Sequence, residues 1–240
     1  MMCMKTGNNP FYYHVIDNFL EEKTAIKISK EFPQYNSNIW FCYDNPLENK
    51  KTCNNWYYFG EETYKLFSYL NSHEFISKIK KITGIKNLYP DIGLHGGGLH
   101  IHGRGGKLNI HLDYSIHPKL KLQRKLNLII YLEENWDSHW GGNLEFWSHN
   151  SKLNKPKEKV VTVNNVFNRA ILFDTTQNSW HGFPIPITCP KDKYRKSIAV
   201  YYLTDPPEGT NKRQRALYSP SKDQENNQEI LRLIEKRSKL

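Results

Sequence analysis

"LHGGGLHIHGRGGKLNIHLD", residues 94–113, holds four histidines, one aspartate and six glycines. Imidazoles and carboxylates are ligands for transition metals, but the run has more donors than one ion takes. Along a strand, residues i and i+2 share a face. His111 and Asp113 therefore point the same way, with Leu112 opposite; His100 and His102 have the same spacing, so spacing alone does not choose between the pairs. Gly103-Arg104-Gly105-Gly106 reads as a tight turn with Arg104-Gly105 at its tip. In that register His102 faces Lys107, His100 faces Asn109 and Gly98 faces His111. Directly opposed residues share a face, so His100, His102, Asn109, His111 and Asp113 are all expected to look into one cavity. A slip of one residue reverses half of this. The glycines 96–98, beside His111, are expected to leave room for a cofactor.

Outward from this run, the chain changes character near residue 92. Before it, residues 11–20 read as a strand. Asp17 or Asn18 is placed to cap a helix over 21–32 that Pro33 stops. A second helical region is expected from Glu61 to Ile82, with Leu66, Leu70, Phe75, Ile76 and Ile79 as its apolar stripe and Gly84 at its end. After residue 92, short runs with strand periodicity succeed one another at 107–113, 125–132, 143–147, 159–163, 169–174 and 196–203, separated by turn residues. Strands without intervening helices predict an antiparallel sandwich or barrel. Beyond Pro206-Pro207 the chain turns polar, with a helix expected over Asp223–Lys239. Polar loops at 43–58, 114–123 and 148–158 are expected to act as lids.

The composition narrows the function classes. The 240 residues include 13% aromatics, which argues against disorder despite a mean hydropathy of −0.73. The net charge of +10 is scattered over several segments, and no nucleic-acid module accompanies it, so the charge reads as solvated surface. No run reaches the roughly 18 apolar residues of a membrane span. The N-terminus lacks the apolar stretch of a leader. The four cysteines form no Cys-x-x-Cys pair, so free thiols in a reducing, cytoplasmic setting are expected. Ser238-Lys239-Leu240 spells a peroxisomal address in a eukaryote.

A pair of donors does not make an iron site. Two histidines and one carboxylate leave open positions on Fe(II), and a third ligand must come from elsewhere. The best candidate is His181 in "NSWHGF", after the strand 170–173. A histidine beside a tryptophan is commonly structural; this one gains weight from the strand at 195–202. There Arg195 and Ser197 share a face with Ala199 and Tyr201. A guanidinium in a β core needs an anion, either a protein carboxylate or a bound dicarboxylate.

In this order, the residues resemble the Fe(II)/2-oxoglutarate-dependent oxygenase superfamily, and within it the prolyl 4-hydroxylase-like branch. The resemblance runs over about 93–204, and "FYYHVIDNFL…ISKEFP" resembles the family's N-terminal strand and helix. The pattern is His-x-Asp, a later His, then Arg and Ser on the next strand, as in His111, Asp113, His181, Arg195 and Ser197. Two further stretches, "LNLIIYLEENW" after Arg124 and Gly141-Gly142-Asn143-Leu144, resemble the strand and hairpin that lie between. The resemblance implies a mainly β fold with flanking α, a double-stranded β-helix of jelly-roll or cupin-like kind supported by N-terminal helices. It implies one oxygenase domain over 1–208, with N-terminal elements at 11–84 and a barrel at 92–204, and then a basic extension at 209–240.

The resemblance also implies roles. His111, Asp113 and His181 bind Fe(II), and Arg195, Ser197, Tyr131 and Asn109 face 2-oxoglutarate. Dioxygen is the oxidant, ascorbate the reductant, and the substrate is a prolyl or other residue of a peptide or protein. Arg124, His100, His102, Trp147 and Tyr201 are expected on the substrate side, His95 farther out and His117 in a lid. A free amino acid or sugar is the alternative substrate class. A cupin-like metal protein that does not use dioxygen is the competing class, and it would need no clamp of Arg195 and Tyr131.

Overall fold

The computed structural model describes residues 3–239. In chain order its elements are β1 (Cys3–Gly7), β2 (Tyr13–Asp17), α1 (Glu22–Glu31), β3 (Phe41–Asn45), β4 (Glu48–Cys53), α2 (Glu61–Leu70), α3 (His73–Thr83), β5 (Tyr89–Pro90), β6 (Gly98–His102), β7 (Lys107–Leu112), β8 (Gln123–Tyr131), β9 (Leu144–Asn150), β10 (Lys155–Val163), β11 (Ala170–Asp174), β12 (Trp180–Phe183), β13 (Arg195–Thr204), β14 (Leu217–Tyr218) and α4 (Gln228–Lys239). The strands join into one antiparallel sheet in the order β1-β2-β11-β8-β13-β6-β4-β7-β12-β9-β10. Phe11, Tyr131, Ile171 and Phe173 from one end meet Leu144, Phe146 and Val163 from the other on the inner face. The sheet is therefore curled on itself, the double-stranded β-helix that the sequence predicts.

Strand periodicity divides the two faces. On β8, Leu126, Leu128 and Ile130 turn outward; on β13, Ile198, Val200 and Tyr202 do the same, as do Leu99 and Ile101 on β6. These residues meet Ala25 and Ile28 of α1, Leu66, Phe67 and Leu70 of α2 and Ile76 and Ile79 of α3. Each such side chain, fully buried, contributes roughly 1.5–3 kcal/mol. The alternate residues of the same strands, Ile129, Arg195, Ser197, Ala199, Tyr201, His100 and His102, face the interior of the curl. The helices thus back the sheet and leave its inner face free for polar side chains.

Several expected elements take another form. The single helix over 61–82 is two, because Asn71 ends α2 and Ser72 caps α3 by accepting from the Phe75 amide. Its predicted apolar stripe is buried across both, and α3 ends at Gly84 in the left-handed region. Neither Asp17 nor Asn18 caps α1. Asp17 is engaged by Arg169, and Glu21 stands at the cap, its carboxylate accepting from the Thr24 hydroxyl and from no helix amide. The loop expected at 43–58 is mostly the hairpin β3–β4, and that at 148–158 is the tip of the β9–β10 hairpin.

The largest departure lies within residues 94–113. The turn at 103–106 forms, with the Gly106 amide on the Gly103 carbonyl, but β6 and β7 do not pair. Instead β4 lies between them, with Thr52 opposite His100 and Glu48 opposite Leu108. Two of the three glycines that were to leave space are filled: Gly98, at φ 96°, has the Cys53 carbonyl where a Cβ would stand, and Gly97 has the Ala199 carbonyl there, while Gly96 lines the cavity.

Residues beyond 208 pack on the barrel. β14 pairs with β7, placing Tyr218 opposite His111. Gln224 reaches the Pro46 carbonyl, and Arg237 on α4 binds Glu48. No helix among the described residues is long and apolar enough to cross a membrane. Leu240, the last residue of the expected address, lies outside the described residues.

Candidate metal centre

β7 and β12 bring His111 and His181 directly opposite each other. Their rings lie 4.4 Å apart between centroids. Asp113 comes just after β7 and completes the group: its Oδ1 is 3.7 Å from His111 Nε2 and its Oδ2 is 3.8 Å from His181 Nε2. All the donor atoms lie within 4.8 Å of one another, and among the described residues no other such group of His, Cys, Asp or Glu occurs. Each ring is oriented from behind. His111 Nδ1 donates to the Asn109 carbonyl at 3.0 Å, and His181 Nδ1 to the Ser179 carbonyl at 2.8 Å. With the proton fixed on Nδ1, the Nε2 lone pair of each ring is turned toward the shared point. Burial and the neighbouring His111 push His181 down to about 4, so its imidazole is neutral at physiological pH. Two imidazoles and a carboxylate with converging donor atoms fit a divalent transition metal.

Asp113 is kept ionised by its surroundings. Burial alone would raise its pKa, but the Arg124 guanidinium, 3.1 Å away, holds it well below the usual carboxylate range. Arg124 is itself clamped between the rings of Tyr114 and Tyr201, 3.3 Å from each centroid, and donates to the His95 carbonyl. Expected on the substrate side, it lines the cavity and is paired there with Asp113. Asn127 adds a weak bond to the other oxygen, and Arg213 binds the Asp113 carbonyl at 2.6 Å.

The inner end of the same cavity holds the second charge centre. Arg195 is 3% exposed, and among the described residues no carboxylate lies within ion-pair reach of it. It donates to the Gly142 carbonyl and weakly to Ser197, and it packs against the rings of Tyr131 and Phe183. The buried Tyr131 hydroxyl and both nitrogens of His102 have no hydrogen-bond partner. A buried cation among orphaned donors is poised for an anion, because leaving those groups unpaired carries a desolvation penalty. His102 and His100 line this cavity and are neutral. Burial, with Arg195, holds His102 well below its ordinary pKa, and burial, with Lys50, pushes His100 to about 3.

Asn109 does not share the cavity. Its amide donates to the Ser219 carbonyl and to Gln224. The cause is an irregularity: His181 pairs with His111, but Phe183 pairs with Leu108, so β7 carries one residue more than β12. A bulge of this kind breaks the alternation. Gly182 allows it, since a Cβ there would stand 2.7 Å from the carbonyls of both Leu108 and Asn109. Trp147, expected near the mouth, packs with Ile110, Leu112 and Trp180 and donates to Glu145. His117, expected in a lid, is buried, and its Nδ1 accepts from the amides of Lys119 and Leu120. His95 lines the cavity rather than lying outside it.

Sequence reasoning missed Tyr218, stacked on His111 at 5.2 Å, and the trio Glu48, Lys50 and Arg237, which line the same cavity of about 520 Å³. The only signal for Tyr218 was Ala216-Leu217-Tyr218, a brief apolar step in a polar run.

The 2OG-Fe(II) oxygenase superfamily model matches residues 97–203, which hold His111, Asp113, His181 and Arg195. Similar solved structures include a prolyl-4-hydroxylase from Pseudomonas putida (TM-score 0.56, 13% identity, covering 81% of this chain and 93% of that one). A second is a prolyl hydroxylase from Trichoplax adhaerens in complex with a peptide fragment of a hypoxia inducible factor (0.57, 20%, 80% and 83%). A third is HygX from Streptomyces hygroscopicus with nickel, 2-oxoglutarate and hygromycin B bound (0.54, 11%, 80% and 82%). No curated protein sequence matches.

Proposed function

We propose, on the premise that residues 97–203 form a domain of the 2OG-Fe(II) oxygenase superfamily, that His111, Asp113 and His181 hold Fe(II) and that Arg195 receives the distal carboxylate of 2-oxoglutarate. The chain is a 2-oxoglutarate-dependent dioxygenase. Such a loaded site couples oxidative decarboxylation of the keto acid, by dioxygen, to hydroxylation of a substrate. The residues supply the setting. The carbonyls of Asn109 and Ser179 hold both rings with Nε2 toward the shared point, and Arg124 keeps Asp113 anionic. Tyr131 and Ser197 stand beside Arg195 to share the carboxylate. The substrate we assign is a prolyl or other residue of a peptide or protein, with a small molecule as the alternative. The relatives of this fold take both kinds, a peptide in one and hygromycin B in the other.

The observation that carries the reading is the pairing of a converging His-Asp-His group with a buried, acid-free guanidinium in one cavity. Succinate release with Fe(II), ascorbate and 2-oxoglutarate, together with equilibrium 2-oxoglutarate binding, tests it. The wild type binds 2-oxoglutarate only with metal present. Asp113→Ala releases no succinate, and Arg195→Ala binds 2-oxoglutarate roughly 10- to 150-fold more weakly, the range for a lost charged hydrogen bond. Metal binding without affinity for 2-oxoglutarate would return the chain to the cupin-like class.

A further inference from the structure

The mouth of the cavity is built unlike its interior. The interior charges are matched: Arg124 sits on Asp113, and Arg195 awaits the co-substrate. Toward solvent, three cations line the cavity, Lys50, Arg215 and Arg237, against the single carboxylate of Glu48. Glu48 is 1% exposed and is bound by both Lys50 at 3.0 Å and Arg237 at 2.6 Å. Its charge is consumed twice over. Arg215 is exposed, and among the described residues no carboxylate lies within 4 Å of its guanidinium. Beside these cations the hairpin β3–β4 presents Phe41, 64% exposed, stacked edge-on with Tyr43. Lys50 lies over the Tyr43 ring.

An excess of positive charge at a low-dielectric mouth concentrates anions and rejects cations. We infer that the substrate carries an anionic group, carboxylate or phosphate, which Arg215 receives at the mouth while an adjacent apolar portion rests on Phe41. The inference rests on the oxygenase reading and specifies its substrate class. It leaves the reacting carbon to point inward, past Tyr218, toward the metal ligands. Lys50 and Arg237 supply the field, and Arg215, having no acid of its own, makes the contact.

The test uses the full chain loaded with Ni(II) and 2-oxoglutarate. Calorimetric titration is run with three peptides, Gly-X-Pro-X-Gly in which X is glutamate, glutamine or lysine, and with free glutamate and free O-phosphoserine. At least one acidic member is expected to bind about tenfold or more tighter than the glutamine and lysine peptides, and Arg215→Glu is expected to remove or invert that order. Tight binding of the acidic peptide alone assigns a protein substrate; tight binding of a free acid assigns a small molecule. Equal affinities across the set, failure of every member to bind, or an acidic preference that survives Arg215→Glu overturns the inference. Titration of each protein with 2-oxoglutarate separates this outcome from failure of the oxygenase reading, which shows as no metal-dependent 2-oxoglutarate binding in the wild type.

Discussion

Asp113 has two claimants: the metal we propose, which needs its charge, and Arg124, which is buried and among the described residues has no other carboxylate within 4 Å. Asp113→Asn should therefore do two things at once. Metal affinity should collapse, seen by titration with Mn(II), and the metal-free protein should lose about 3–5 kcal/mol of stability in urea, because an uncompensated guanidinium remains in the interior. Undiminished stability would mean that Arg124 finds water. Glu48 gives a second test at this scale. Burial alone would raise its pKa, but Lys50 and Arg237 outweigh burial and hold it at about 2, against an ordinary 4.5. A depressed value means that the stabilisation is complete above pH 4.5 and drains away as the pH falls toward 2. The wild-type melting temperature should drop steeply across that window, and Glu48→Gln should show a shallower drop from a lower starting point. Arg215, by contrast, is a residue whose removal should leave the melting temperature nearly unchanged.

At the scale of elements, the separation of backing helices from working strands can be measured. Ser72→Ala removes the cap that separates α2 from α3 and should cost about 1 kcal/mol with 2-oxoglutarate affinity unaltered. Gly182→Ala should do the reverse. It pushes β12 off the bulge in β7, so metal affinity should fall while the helical signal in circular dichroism holds. The same elements show what the sequence could and could not reveal. Strand β8 was legible because its alternate residues are buried on one face by helices, whereas β11, and β13 over most of its length, are buried on both faces and were legible as short apolar runs between turn residues. Ser72 was legible only in hindsight, since an apolar stripe continues in phase across the break. Asn109 was misplaced because alternation fails at a bulge, and a bulge leaves no mark except the glycine across from it. His111, Asp113, His181 and Arg195 were readable as an ordered set of unlike chemistries. Glu48, Arg237 and Tyr218 were not, since charge and polarity alone do not tell a cavity wall from a solvated tail.

For the molecule as a whole, the helix-backed core lies behind the sheet and the charged chemistry in front of it, beside a smaller apolar cluster on the inner face that reaches the site through Tyr131 against Arg195 and Phe173 against the His181 ring. Leu70, fully buried between the helices and the sheet, should cost about 2–5 kcal/mol when cut to alanine, and the loss should appear as lowered stability rather than altered cavity charge. The position of β4 bears on how the chain reaches this state. The four-residue connection 103–106 joins two strands that are not neighbours in the sheet, and the segment that separates them comes from almost fifty residues upstream. Zipping outward from that turn is therefore a dead end. Refolding must await a long-range encounter, and the time it takes should respond to mutations in the 48–53 wedge far more than to any substitution at the tip beside Arg104.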